Sequence, residues 1–299
     1  MQLVGPKVKK FELFAIILTA MFLIVGCRTY LNSTPKLNIE KKQMQNDDNV
    51  EISKPPKKDP TYDELSSVNN NVGTVQERLN KLKKQDSRIN TIINNYSNYP
   101  KELIDMLSRD IDMLDFVLKY PHMKGNVGSD NIGKVTKGNI PLLLQWDERW
   151  GYSTYGDNIL AVNGCGLTAL SMVITGLTGN DSITPQQLAN FSINHGYYVK
   201  SVGTSWNLMT GISGHFGIKS NQLSSNKNTV FNALKNGKPI ICSVKAGDFT
   251  TKSHIIVLAG IENEKIKVHD PNSKKRSSIL WDYDRLAPQI RNLWVFSNK

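Results

Sequence analysis

Cysteine is scarce in this 299-residue chain, with three residues at positions 27, 165 and 242. An odd count with no close pair excludes a disulfide-stapled framework, and there is no Cys/His spacing of a zinc site. No nucleic-acid motif occurs, and basic and aromatic residues are not interleaved. No metal, cofactor or nucleic acid is therefore implied. Apolar residues are also few, at 39%, below the globular norm. The shortage falls mainly on residues 34–60, whereas 140–299 are rich in Leu, Ile, Val, Trp and Tyr. A packed core is expected in that last part. Uninterrupted apolar stretches are short too. The run from Phe11 to Val25, broken only by Glu12, is 15 residues long, against the ~20 a membrane-spanning helix needs.

Charge is plentiful and unbalanced, with a formal +11. A basic surface favours solubility and weak attraction to an anionic envelope. Lys7, Lys9 and Lys10 precede the short apolar run, the pattern of an export signal. The run ends Ile24-Val25-Gly26-Cys27, which resembles the lipobox of bacterial lipoproteins, in which the peptide is cut before a cysteine that is then lipidated. An uncleaved signal anchor is the competing reading. Either places the rest of the chain outside the cytoplasm, anchored to the cell membrane.

Residues 28–60 hold four prolines and mostly polar groups, too little apolar surface to offset the entropy of ordering. They read as a disordered linker after a signal or anchor over 1–27. Residues 61–122 read as a helical stalk. Leu65, Val68, Val72, Val75, Leu79, Leu82, Ile89, Ile93 and Tyr96 form a heptad-like stripe that skips Asp86. One long helix over about 63–97 would serve as a coiled-coil spacer or a homodimer contact, or else would fold back on a neighbour. A second amphipathic helix carries Leu103, Leu107, Ile111, Leu114 and Leu118 and is expected to end at Pro121. Residues 123–139 read as a glycine-containing loop.

The chemistry concentrates in 140–299. Pro141–Leu144 reads as a short strand ending at Gln145. Cys165 stands between Gly164 and Gly166, just before an apolar helix, where the helix dipole favours a thiolate. Cys242, inside Ile240-Ile241-Cys242-Ser243-Val244, reads as inert core. Of five histidines, His254 opens the apolar strand Ile255–Ala259, at the mouth of a buried element. His122, His195 and His215 read as structural. On the next strand, alternation turns Ile266, Val268 and Asp270 inward and Lys267 and His269 outward. Asp270 is thus placed to orient a base, and Gln145 to donate to an oxyanion together with the Cys165 N–H.

The order Gln145, Cys165, His254, Asp270 resembles the papain-like cysteine peptidases. The segments Gln145-Trp146-Asp147-Glu148-Arg149-Trp150-Gly151, Asn163-Gly164-Cys165-Gly166-Leu167-Thr168, Gly203-Thr204-Ser205-Trp206, His254–Leu258 and Val268-His269-Asp270-Pro271-Asn272 are similar to family thirty-nine of the cysteine peptidases. That family comprises the bacteriocin-processing, double-glycine leader peptidases and their stand-alone relatives. The resemblance covers about 140–299 and implies an α+β fold, with a helix bearing the cysteine packed on an antiparallel sheet bearing histidine and aspartate. It implies peptide-bond hydrolysis with Cys165, His254 and Asp270 as triad and Gln145 as oxyanion donor. The substrate would be a peptide or a cell-wall peptide. No transporter segment accompanies it here, so leader processing during export is not implied. Papain itself has asparagine where this chain has Asp270, so an amide there is expected to be tolerated. Amidase or acyltransferase chemistry on wall peptides, and a non-enzymatic envelope adaptor, are the alternatives.

Overall fold

The computed structural model describes residues 73–299, which lie within one compact unit, Pro55–Lys299. The expected signal segment with Cys27, the expected linker over 28–60 and the start of the expected stalk lie outside the described residues.

The single long helix expected over 63–97 is not formed in its described part. Instead α1 (Val75–Leu82) opens on a capping box between Thr74 and Glu77, and α2 (Ile89–Asn94) follows after a turn. The break falls where the heptad stripe skips a position. No apolar group holds that turn against a core, and the Asp86 carboxylate accepts the Arg88 backbone N–H at 2.9 Å instead. The second helix is likewise divided, into α3 (Lys101–Arg109) and α4 (Leu114–Met123). Asp110 leaves helical geometry at φ −145° and caps the Asp112 N–H. Pro121 lies inside α4 rather than ending it. The missing N–H costs one bond near the terminus, and the helix continues for two more residues.

These helices do not stand away as a stalk. Leu79, Ile89, Ile92, Leu103, Leu107 and Val117 share one core with Leu144, Trp146, Tyr152 and Ile159 of the downstream region. Phe116 stacks on Tyr152 at 4.1 Å, and the Tyr152 hydroxyl donates to the Phe116 carbonyl. Of the two readings of the apolar stripe, a coiled-coil or dimer seam and a helix folded back on its neighbour, the described residues follow the second: the stripe is an internal face packed on α3 and α4.

Pro141–Leu144 joins no β-ladder. Pro141 has no N–H to give, and the segment is tied by isolated bonds, among them the Gln145 N–H to the Pro271 carbonyl at 2.7 Å. A short hairpin, β1 (Thr154–Tyr155) and β2 (Asn158–Ile159), leads into α5 (Leu160–Asn163) and the central helix α6 (Cys165–Thr178). Residues 166–177 of α6 are all buried. Gly179, at φ +78°, ends it in the left-handed cap that glycine favours. Next come α7 (Pro185–Asn194), a hairpin of β3 (Tyr198–Val199) and β4 (Gly203–Thr204), and α8 (Asn207–Gly211).

The remainder builds the sheet: β5 (Ile218–Leu223), α9 (Lys227–Lys235), β6 (Ile240–Lys245), β7 (Ser253–Glu262), β8 (Lys265–His269), α10 (Lys274–Ser277), β9 (Leu280–Trp281), α11 (Tyr283–Leu286) and β10 (Ile290–Asn298). The strand order is β5-β10-β6-β7-β8-β9, antiparallel throughout. Strands β6 and β7 are apolar at nearly every position because both faces are covered. Ile241, Ile255 and Val257 pack in the core that includes α6, while Cys242, Ile256 and Leu258 pack in a second core under α9 and α11. The result is an α+β fold, with the cysteine-bearing helix on an antiparallel sheet that carries His254 on β7 and Asp270 at the end of β8.

Candidate active site

Cys165 is the first residue of α6, and Gly164 is its N-cap. A Cβ at Gly164 would come within 2.4 Å of the Leu160 carbonyl oxygen, so only glycine lets α5 turn this tightly into α6. The Cys165 thiol is half-buried and not in a disulfide. Cys242, the other free cysteine among the described residues, is 1% exposed, and burial pushes its thiol well above the usual range. The two thiols thus differ as the sequence pattern implies: one at a helix N-terminus beside a cleft, one inert in the sheet.

The start of β7 and the end of β8 lie side by side, because the strands run antiparallel with Val257 opposite His269. His254 Nε2 is 2.8 Å from Asp270 Oδ1. Cys165 and His254 line the same cleft, and the Cys165 sulfur is among the influences on the ring. Both His254, at 8% exposure, and Asp270, at 0%, are shut away from bulk water. Burial alone would lower the His254 pKa. The Asp270 carboxylate and the Cys165 sulfur outweigh it and raise the ring to about 9. Burial would raise Asp270, but Arg276 and His254 hold it down at about 2. The three groups are therefore suited to carry a charged imidazolium near neutral pH.

Arg276 was not foreseen from the sequence. Its Nε is 2.6 Å from Asp270 Oδ2, and it is 5% exposed. It lies in the stretch Lys274-Lys275-Arg276, a basic run that reads as solvated surface; only the turn made by Pro271 and Ser273 folds its third member inward. His269 also departs from expectation. It does point away from Asp270, but that face is covered by the Pro141–Leu144 segment, so His269 is 4% exposed with Nδ1 3.2 Å from the Pro141 carbonyl. Burial and the nearby Lys267 lower its pKa to about 4.

Gln145 is buried at 3% exposure. Its Nε2 donates to the Ala161 carbonyl at 2.6 Å, and its Oε1 has no hydrogen-bond partner. One N–H of this amide is thus spent on the segment leading to Cys165, and one remains. His195 and His215 lie elsewhere, in an aromatic group around Phe191.

Cys165 and His254 open on a cleft of about 270 Å³ whose walls include Val162, Thr204, Trp206 and Met209. A larger cleft, of about 520 Å³, lies between the helical layer and α10. It holds charged groups but no nucleophile and base together, so the smaller cleft is the candidate site.

No curated protein matches the sequence. Similar solved structures include a C39-like peptidase from Bacillus anthracis, 15% identical with a TM-score of 0.37, over 56% of this chain and 98% of that one; and the peptidase domain of Streptococcus ComA, a bi-functional ABC transporter involved in a quorum-sensing pathway, 17% identical with a TM-score of 0.37, over 54% of this chain and 100% of that one. The sequence profile of the Peptidase C39-like family matches residues 137–297, more than half of the chain, and the chain belongs to that family.

Proposed function

We propose that this family member hydrolyses peptide bonds with Cys165 as nucleophile, His254 as general base and acid, and Asp270 as the group that orients the ring. The observation that carries this reading is the His254 imidazole 2.8 Å from the Asp270 carboxylate, on a cleft that it lines together with Cys165. The thiol proton passes to His254, and the thiolate attacks the scissile carbonyl carbon. Negative charge then develops on the carbonyl oxygen, where the Cys165 backbone N–H at the start of α6 and the second N–H of Gln145 donate to it. His254 returns its proton to the leaving amine as the C–N bond breaks, leaving an acyl-thioester. Water, deprotonated by His254, attacks that thioester and releases the acid and the thiol.

The test is a peptide-library cleavage profile of the purified chain. Wild type should cleave a defined subset of peptides, and Cys165→Ala should cleave none. Cleavage that survives Cys165→Ala would remove the nucleophile assignment. Aminolysis products in place of free acids would move the reading to acyl transfer, with cell-wall peptides as substrate.

We further propose that the enzyme works outside the cytoplasmic membrane, tethered through lipidated Cys27. The support is Lys7, Lys9 and Lys10 ahead of the apolar run and Ile24-Val25-Gly26-Cys27 at its end. A fatty-acid analogue fed to expressing cells should label wild type and not Cys27→Ser. Equal labelling of the two would leave the uncleaved anchor instead.

A further inference from the structure

The Asp270 carboxylate is held from two sides. Oδ1 takes His254 Nε2 at 2.8 Å and the Asn272 backbone N–H at 2.7 Å, and Oδ2 takes Arg276 Nε at 2.6 Å. We propose that Arg276 is a positioning residue of the triad, whose guanidinium fixes the rotation of the Asp270 carboxylate and thereby the His254 ring. This rests on the triad reading above.

The chain builds the clamp locally. Ser273 caps α10 by accepting the Arg276 backbone N–H, at 3.2 Å. The Ser277 hydroxyl accepts the Asp270 N–H at 2.8 Å. The Arg276 carbonyl in turn accepts Trp281 Nε1 at 3.0 Å, from a tryptophan that is 0% exposed. The arginine is therefore fixed at both ends before it meets the carboxylate. A carboxylate bound by histidine on one oxygen alone can turn about its Cβ–Cγ bond; opposed donors on both oxygens prevent that. The other charged groups around Arg276 are Asp105, Asp110, Asp112 and Arg109 from the helical layer, and Lys274 and Lys275, along the 520 Å³ cleft and the smaller one beside it. Burial raises the Asp110 carboxyl, and Arg276 partly offsets this. The helical layer thus contributes a carboxyl to the array behind the triad.

A purely architectural arginine would support the fold without touching the titration of the site, and this separates the two roles. Among the groups that keep Asp270 ionised, Arg276 acts most strongly against burial. In Arg276→Met, kcat should fall on the order of 10- to 100-fold with KM little changed, the usual scale for a misplaced catalytic group. The acid limb of kcat/KM should move to higher pH by about one unit or more, as Asp270 protonates more easily. Arg276→Lys keeps the charge but not the fixed fork, so it should return the limb and restore only part of kcat. In an Asp270→Asn background, Arg276→Met should cost nothing further, because the group it positions is gone. An unmoved acid limb, together with an equal fold-loss in both backgrounds, would overturn the proposal. Should Arg276→Met fail to fold, Arg276→Lys decides alone: wild-type kcat in that variant would overturn it. Cys165→Ala in the same assay keeps the two readings apart, since residual turnover there defeats the triad, whereas a silent Arg276 leaves it standing.

Discussion

At the scale of single residues, the two oxygens of Asp270 decide how the site tolerates change. Both neighbours, His254 Nε2 and Arg276 Nε, are positioned to donate. Asparagine offers one oxygen and one N–H₂, so an amide here must aim a donor at a donor and leave Arg276 buried without its counter-charge. The tolerance inferred from papain's asparagine thus does not carry over. Asp270→Asn should lower the unfolding free energy by about 3–5 kcal/mol, the scale for breaking a buried ion pair, and should lower kcat more than tenfold. Denaturant melts and rates on one substrate would check both; a melt within experimental error of wild type would show the clamp to be slack. On the proposed mechanism, His254 sets the alkaline side. With its pKa raised to about 9, the imidazolium persists through neutral pH. kcat/KM should therefore hold to about pH 9 and fall above it. Asp270→Ala removes the largest raising influence, and the limb should move to lower pH.

At the scale of elements, the outcome divides by how local the signal is. The α6 helix with Cys165 at its start, the apolar strand after His254 and the inward side chain of Asp270 were legible, because each follows from a short pattern: glycines before a helix, an apolar run, alternation of two. What was not legible is what covers each element. The heptad stripe from Val75 to Tyr96 specifies an apolar face but not its partners, which proved to be α3 and α4, in a core that continues to Leu144, Trp146, Tyr152 and Ile159. The same blindness put His269 outside, since nothing local announces that the Pro141 segment lies over it, and hid Arg276, whose inward turn depends on Ser273 and Trp281. One consequence is measurable. A chain starting near Pro100 lacks α1 and α2 and exposes the core around Leu103 and Val117. It should lose stability and bind a hydrophobic dye, rather than behave as a cleanly separated domain. Leu79→Ala alone, at a side chain 0% exposed, should cost about 2–5 kcal/mol. A truncated chain with an unchanged melt would return the helices to the status of a detachable stalk.

At the scale of the whole molecule, two buried histidines give stability opposite pH dependences. The folded pKa of His254 is raised to about 9. Its contribution is fully present below the unfolded value of about 6.5 and is lost as pH rises through about 9. The folded pKa of His269 is lowered to about 4. Its contribution is fully present above about 6.5 and is lost as pH falls through about 4. Unfolding free energy should therefore peak near pH 6.5 and decline on both sides, and His269→Gln should flatten the acid side between about 6.5 and 4. Asp270, held at about 2, adds a loss only below about 3.8.

The catalytic assignment is tested most directly by stoichiometric alkylation of the folded protein with iodoacetamide, following label position by mass spectrometry and peptide hydrolysis in the same samples. Cys165 should be labelled and Cys242 spared, and hydrolysis should fall in one-to-one proportion to the Cys165 label. Full labelling of Cys165 with hydrolysis intact would contradict it.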